Sequence, residues 1–354
     1  MGTLHLADGR LVRDGDVEAL RRALDATPDL AKSIDREGFT LLHVAADALE
    51  LPVVELLLAH GADPNAPSLG QERPLDRALT PLIAWPRTTP LVAVVRGAVV
   101  RQEVRPPRRS EASRVPVVRA LLRAGAEVNP PPIDPSRPHI QSWEPPLVAA
   151  ARLGNVALVD LLLAHGARAR GVRGRHAVEA AAARQDLAVL DALIARGARI
   201  RKSRAIAEAV RGCHQSISES RHTNDAFRIE QARAQVTIGH SIACGAPIAR
   251  RLRGWTPLHY AVSACLGSVV KTLLAHGAPL NRRAKPPQRD DSEPLLVFAI
   301  RAAIVRKVPS TWMLPIVHTL VQAGADRRAV GSDGRSAWRI ALDHGLVVLA
   351  VALL

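Results

Sequence analysis

Gly254-Trp255-Thr256-Pro257-Leu258-His259-Tyr260-Ala261-Val262 is followed, eighteen residues after its histidine, by a Gly277-Ala278 pair that closes the run Thr272-Leu273-Leu274-Ala275-His276. Threonine before proline suits a helix N-cap, with proline at the first helical position, where its missing N–H costs nothing. The small residues after it let a second helix pack closely, and Gly277 suits the left-handed residue that ends that helix. The stretch therefore reads as a helical hairpin closed by a glycine turn. The same register recurs outward from it. His43 to Gly61, Val148 to Gly166 and Glu179 to Gly197 are also eighteen residues apart. Further Gly-Ala closures stand at Gly125, Gly245 and Gly324.

Seven closures spaced 64, 41, 31, 48, 32 and 47 residues apart describe one repeated unit, some copies of which carry extra chain. Each unit exposes an apolar face that only a neighbour can cover, so the stack builds one continuous core. Thr256–Ala261, and nearly as well Thr40–Ala46, resemble the ankyrin repeat, whose period is about 33 residues with a Thr-Pro-Leu-His start. The resemblance implies an all-α solenoid of about nine helix pairs with β-turn fingers, and no cofactor. A single array over 1–354 is expected: an N-terminal capping repeat at 1–37, repeats over 38–327 and a C-terminal capping repeat at 328–354. Insertions are expected near 67–88, 101–115, 130–144, 212–227 and 282–293. The first of these reads as a finger, and Arg101–Arg114 reads as solvated.

Composition narrows the alternatives. The 354 residues include five Trp, three Phe and one Tyr, too few for a large sandwich or barrel. Three cysteines exclude a disulfide framework and point to a reducing, cytoplasmic setting. No apolar run is long enough to span a bilayer, and the N-terminus lacks the pattern of a signal peptide. Abundant Ala and Arg beside only five Lys match GC-rich coding, and a bacterial source is expected. The net charge is +15, yet residues 1–66 hold six Arg/Lys against twelve Asp/Glu, so the other 288 residues sum to +21.

Motifs for chemistry are weak. His60, His165 and His276 precede the Gly-Ala turns, where a ring complements the last helix carbonyls. His43 and His259 belong to the helix start, where a ring stiffens the turn by bonding nearby backbone. Gly239-His240-Ser241 lacks the strand and sharp turn that a nucleophile elbow needs. Cys213, His214, His240 and Cys244 are the best-spaced metal-type residues, but cysteine in an Ala-rich helix more often packs as a small apolar group. No catalytic residue, metal or cofactor is assigned.

The expected function is binding of a macromolecule, another protein with an acidic surface, on the concave finger and inner-helix side. Nucleic acid or another polyanion is the alternative, weakened by the scarcity of stacking aromatics. A third reading is a bacterial effector or immunity protein acting on a specific partner. Self-association through the apolar segment Leu346–Leu354 is also open. The first two fingers are neutral or acidic; the later ones are basic. Arg168, Arg170, Arg173 and Arg175 begin the series, then Arg199, Arg201, Lys202 and Arg204, then Arg250, Arg251 and Arg253. Arg282, Arg283 and Lys285 continue it, and Arg327 with Arg328 ends it. Equivalent positions of successive repeats align on one edge, so these cations are expected to form a positive stripe.

Overall fold

The computed structural model describes Val12 and residues 16–36, 38–68, 72–79, 111–129, 144–219, 224–283 and 293–354. Among the described residues the chain is all-α, with seventeen α-helices and two short 3-10 helices. Isolated β-bridges occur at three finger turns, Ile34–Thr40, Leu252–Trp255 and Val330–Ser336. The chain divides into two compact units, residues 1–169 and 170–354.

In the first unit α1 (Val17–Ala26) is capped by Asp16, whose carboxylate accepts the Ala19 N–H at 3.0 Å, and a 3-10 turn over Pro28–Lys32 follows it. Helix pairs follow as α2/α3 (Leu41–Ala48, Leu51–Ala59), α4/α5 (Pro74–Ala78, Glu111–Arg123) and α6/α7 (Pro146–Leu153, Val156–Ala164). Helices α1, α3, α5 and α7 pack in succession, and α2 lies against α4. Leu42, Leu57, Leu121 and Leu158 are fully buried between these layers.

The second unit repeats the hairpin five times. Its pairs are α8/α9 (Gly171–Arg184, Leu187–Ala195), α10/α11 (Ala205–Glu219, Asn224–Ala243), α12/α13 (Pro257–Ser263, Gly267–Ala275), α14/α15 (Leu295–Val305, Ser310–Gln322) and α16/α17 (Ala337–Asp343, Val347–Ala352). The inner row runs α8–α10–α12–α14–α16, and α11, α13, α15 and α17 form an outer row. Gly212 marks the tightest crossing. A Cβ there would stand 2.7 Å from the Ala183 carbonyl carbon and closer still to its oxygen, so α10 approaches α8 by having no side chain at that point.

Four expectations change. The supposed finger near 67–88 contains α4. Pro74 opens this helix, Asp76 accepts the Arg73 N–H at 3.0 Å, and Leu75, Ala78 and Leu79 are buried, so proline here starts a helix and does not stiffen a loop. The expected insertion near 212–227 is mostly helix, because α10 runs to Glu219 and α11 starts at Asn224. Arg114, expected to be solvated, is 1% exposed within α5, and its guanidinium donates to the Ala78 carbonyl at the end of α4. Arg173 and Arg175, read as finger residues, lie inside α8, which begins at Gly171. Residues 130–143 and 284–292 lie outside the described residues.

The turn between the two helices of a pair carries a feature the sequence did not announce. Leu49, Gly154, Gln185, Cys265, Lys307 and Gly345 all adopt positive φ there, and only two of them are glycine. A non-glycine residue held in that region costs about 1 kcal/mol, which the surrounding helix packing must offset.

Candidate interaction surface

All seven glycines of the Gly-Ala closures are left-handed, with φ between 78° and 90°. The residue four places after each of the first four glycines faces the next finger, and its chemistry differs between the units. Asn65 donates from Nδ2 to the Gly125 carbonyl at 2.9 Å and accepts the Glu127 N–H at 2.7 Å. Asn129 does the same to Gly166 and Arg168, at 2.8 and 3.0 Å. In the second unit the equivalent positions are Arg170 and Arg201. The Arg170 guanidinium lies over the Gly197 turn, 3.2 Å from where a Cβ would sit, and that of Arg201 lies over Gly245, 3.0 Å from the same point. These turns end α9 and α11, where unpaired carbonyls and the helix dipole favour a cation.

The next finger is a two-residue hairpin. Leu252 and Trp255 exchange both backbone hydrogen bonds, at 2.9 and 3.0 Å, around Arg253 (φ 47°) and Gly254 (φ 84°). Two consecutive positive φ values make a turn that favours Asn-Gly or Asp-Gly, and arginine at the first position is strained. Beneath it Tyr260 donates its hydroxyl to the Leu252 carbonyl at 3.1 Å, and burial pushes its phenol above the ordinary range. Trp255 packs on Tyr260 and Phe298 with ring centroids 5.1 and 5.0 Å apart.

The remaining stripe residues sort by what they touch. Arg251 donates to the Arg283 carbonyl at 3.0 Å, and Arg327 to the Leu354 carbonyl at 2.6 Å. The backbone N–H of Arg204 is held by Glu179 at 2.8 Å, and that of Arg328 by Asp326 at 2.9 Å. Arg199, Lys202, Arg253 and Arg282 are exposed and Arg250 is half-buried, and their side chains make no ion pair or hydrogen bond among the described residues. Lys285 lies outside the described residues.

The ankyrin-repeat family model matches residues 37–69 and 253–285, the two segments with the clearest Thr-Leu-His starts. The chain therefore carries ankyrin repeats at these two segments. It is similar in structure to the human ASB11 ankyrin repeat domain, with 20% sequence identity and a TM-score of 0.48, over 76% of this chain and 98% of that one. No curated protein matches it in sequence.

The histidines of the ankyrin signature are structural. His43 Nδ1 accepts the Thr40 N–H at 3.1 Å, which places the ring proton on Nε2, 3.0 Å from the Glu72 carbonyl. Burial lowers His43 to about 4, against the opposing pull of that carbonyl. His259 is likewise lowered to about 4, by burial and then by the charge of Arg251. His60, His165 and His276 each place Nδ1 2.9 Å from a helix carbonyl four residues back. Ser241 is buried inside α11, in no elbow. The four metal-type residues do not converge. Cys213 donates to the Glu230 carbonyl, His214 faces Arg306, and His240 pairs with Asp191 at 2.8 Å, with the Cys244 sulfur 3.6 Å away. Among the described residues no group of three such side chains surrounds a common point.

Two features escaped sequence reasoning. One is an ion-pair chain through the last repeats: Glu293–Arg301 at 3.1 Å, Arg301–Asp333 and Asp333–Arg335 at 2.8 Å, and Arg335–Asp343 and Arg339–Asp343 at 3.2 Å. Desolvation opposes ionisation of Asp333, but hydrogen bonds from Arg335 and the charge of Arg301 hold its carboxyl below the usual range. The other is that the charge asymmetry read from the sequence follows the boundary between the two units. Residues 1–169 hold twenty Arg/Lys and twenty Asp/Glu, whereas residues 170–354 hold twenty-eight and thirteen, so the second unit carries the whole excess of +15. No helix among the described residues is long and apolar enough to cross a membrane.

Proposed function

We propose that this protein is a non-enzymatic interaction module that docks an acidic protein on the finger and inner-helix surface of residues 170–354. Ankyrin repeats are protein–protein interaction modules. The observation that supports an acidic partner is the state of the charges in this unit. Its carboxylates are largely engaged, as in Glu208–Arg211 and Glu230–Arg233, while finger cations such as Arg199 and Arg253 have none to pair with among the described residues. Unpaired arginine forks facing water steer anions and form bidentate bonds with carboxylates. A salt titration of binding to an acidic protein, duplex DNA and heparin tests this reading. Binding of the acidic protein is expected to persist at salt where the other two have dissociated. One steep slope shared by all three would mean unselective polyanion binding and would sink the reading.

A second surface supports self-association. Val347, Val348, Val351 and Leu354 are each more than half exposed, while Leu349 and Leu353 of the same segment are buried. Light scattering across protein concentration tests it, and a monomer throughout would rule out this contact.

A further inference from the structure

The basic residues of residues 170–354 do two different jobs, and position in the turn separates them. Arg170, Arg201 and Arg251 stand at the surface, yet each guanidinium is turned along the array onto the backbone of the following finger: the Gly197 turn, the Gly245 turn and the Arg283 carbonyl. Two of them occupy the place where Asn65 and Asn129 bridge neighbouring fingers in the first unit. Arg251 donates to a carbonyl, and the Arg170 and Arg201 guanidinium groups lie against the turns that end α9 and α11. A second group, Arg199, Lys202, Arg253 and Arg282, is exposed and finds no partner among the described residues.

Arg253 is the most informative member of that group. It holds φ at 47° in a two-residue turn where asparagine or glycine would relieve the backbone. Strain kept at an exposed tip, whose side chain makes no hydrogen bond or ion pair among the described residues, points toward a function for the residue that bears it. A clamp can be replaced by another stacking group without loss of the surface. A reading residue cannot.

We propose that Arg253, with Arg199, Lys202 and Arg282, forms the carboxylate-reading row for an acidic protein segment, and that Arg170, Arg201 and Arg251 are clamps between repeats and not partner contacts. The row half rests on the acidic-partner reading above; the clamp half does not. Protein carboxylates are favoured over nucleic acid because the exposed tips carry no aromatic side chain on which bases could stack.

The full-length protein, thermal melts and fluorescein-labelled poly-L-glutamate test both halves, with duplex DNA as the comparison ligand. Arg253→Asn is expected to raise the melting temperature slightly while weakening poly-glutamate binding by about fivefold, the effect of one lost exposed charge contact. Arg253→Lys keeps the charge and should restore most of the affinity. Arg199→Glu with Lys202→Glu should weaken binding further at an unchanged melting temperature. Arg170→Gln with Arg201→Gln should lower the melting temperature and leave affinity for the folded protein close to wild type. Affinity lost in the clamp variant at an unchanged melting temperature would overturn the assignment, as would an Arg253→Asn variant that binds as tightly as wild type. Wild-type protein that binds duplex DNA but not poly-glutamate would overturn the row together with the acidic-partner reading. The melting temperature of the clamp variant would still decide the clamps, so the two failures are distinguishable.

Discussion

The two units share one repeat and one turn but solve the contact between fingers in different ways. In residues 1–169 the bridging side chain is asparagine, neutral and doubly hydrogen-bonded to backbone, and the unit carries no net charge. In residues 170–354 Arg170 and Arg201 take that position, and the whole positive excess collects in this unit. An amide satisfies a donor and an acceptor at once and leaves the surface neutral. A guanidinium can only donate, so it must rest on helix ends and carbonyls, and it adds charge to the edge it stabilises. The first unit therefore joins these fingers without adding charge, while the second adds positive charge as it does so.

The hardest way to break the second unit is at the α8–α10 crossing. Gly212→Ala places a methyl group inside the Ala183 carbonyl, and neither backbone can move away without unpacking the inner row. A loss of about 4 kcal/mol is expected, read as a fall in the denaturation midpoint. A variant that melts like wild type would show that the helices are not this close.

Acid tests both units together, because each holds one buried signature histidine, His43 or His259. Both are pushed down to about 4 by burial, well below the ordinary value of 6.5. The unfolded chain then binds more protons than the folded one between these values. Stability is fully present above pH 6.5 and falls with acidity until about pH 4, at a limiting rate of about 1.4 kcal/mol per pH unit for each histidine. His43→Gln should remove one histidine's share of that slope in urea titrations at pH 4.5 and 7. An unaltered slope would mean that His43 is not the group responsible.

Gly277→Val probes a finger turn where nothing stands within 4 Å of the added Cβ, so the cost is torsional, about 2 kcal/mol. An unchanged melting temperature would refute the left-handed turn. The smallest expected effect sharpens the comparison itself. Asn65→Ala deletes two hydrogen bonds to backbone and should cost about 1–2 kcal/mol, whereas Arg170→Ala, losing an exposed donor that the turn carbonyls can replace with water, should cost less. The reverse order would place the stronger bridge in the basic unit.

Much of this was legible in the chain. The eighteen-residue register from His43 and His259 to the glycine closures, and the proline at the first position of a helix, locate the repeats because they follow from local backbone chemistry. The α4 helix hid behind Pro74, since proline begins helices and interrupts loops alike. Arg114 read as a solvated residue among other arginines, because burial of a charge depends on a carbonyl brought near from α4, which no local pattern encodes. For the same reason the basic stripe appeared uniform: sequence shows where a guanidinium is attached, and only the fold shows whether it turns onto the neighbouring finger or out to water.

The most direct test of the account compares charge reversal in the two units of the full-length protein. One variant carries Arg199→Glu, Lys202→Glu and Arg253→Asn; the control carries Arg119→Glu and Arg123→Glu at exposed positions on α5. Affinity for an acidic protein is measured at several salt concentrations. The first variant should bind more weakly with a flattened salt dependence, while the control matches wild type. Equal losses in both, or a loss only in the control, would contradict this.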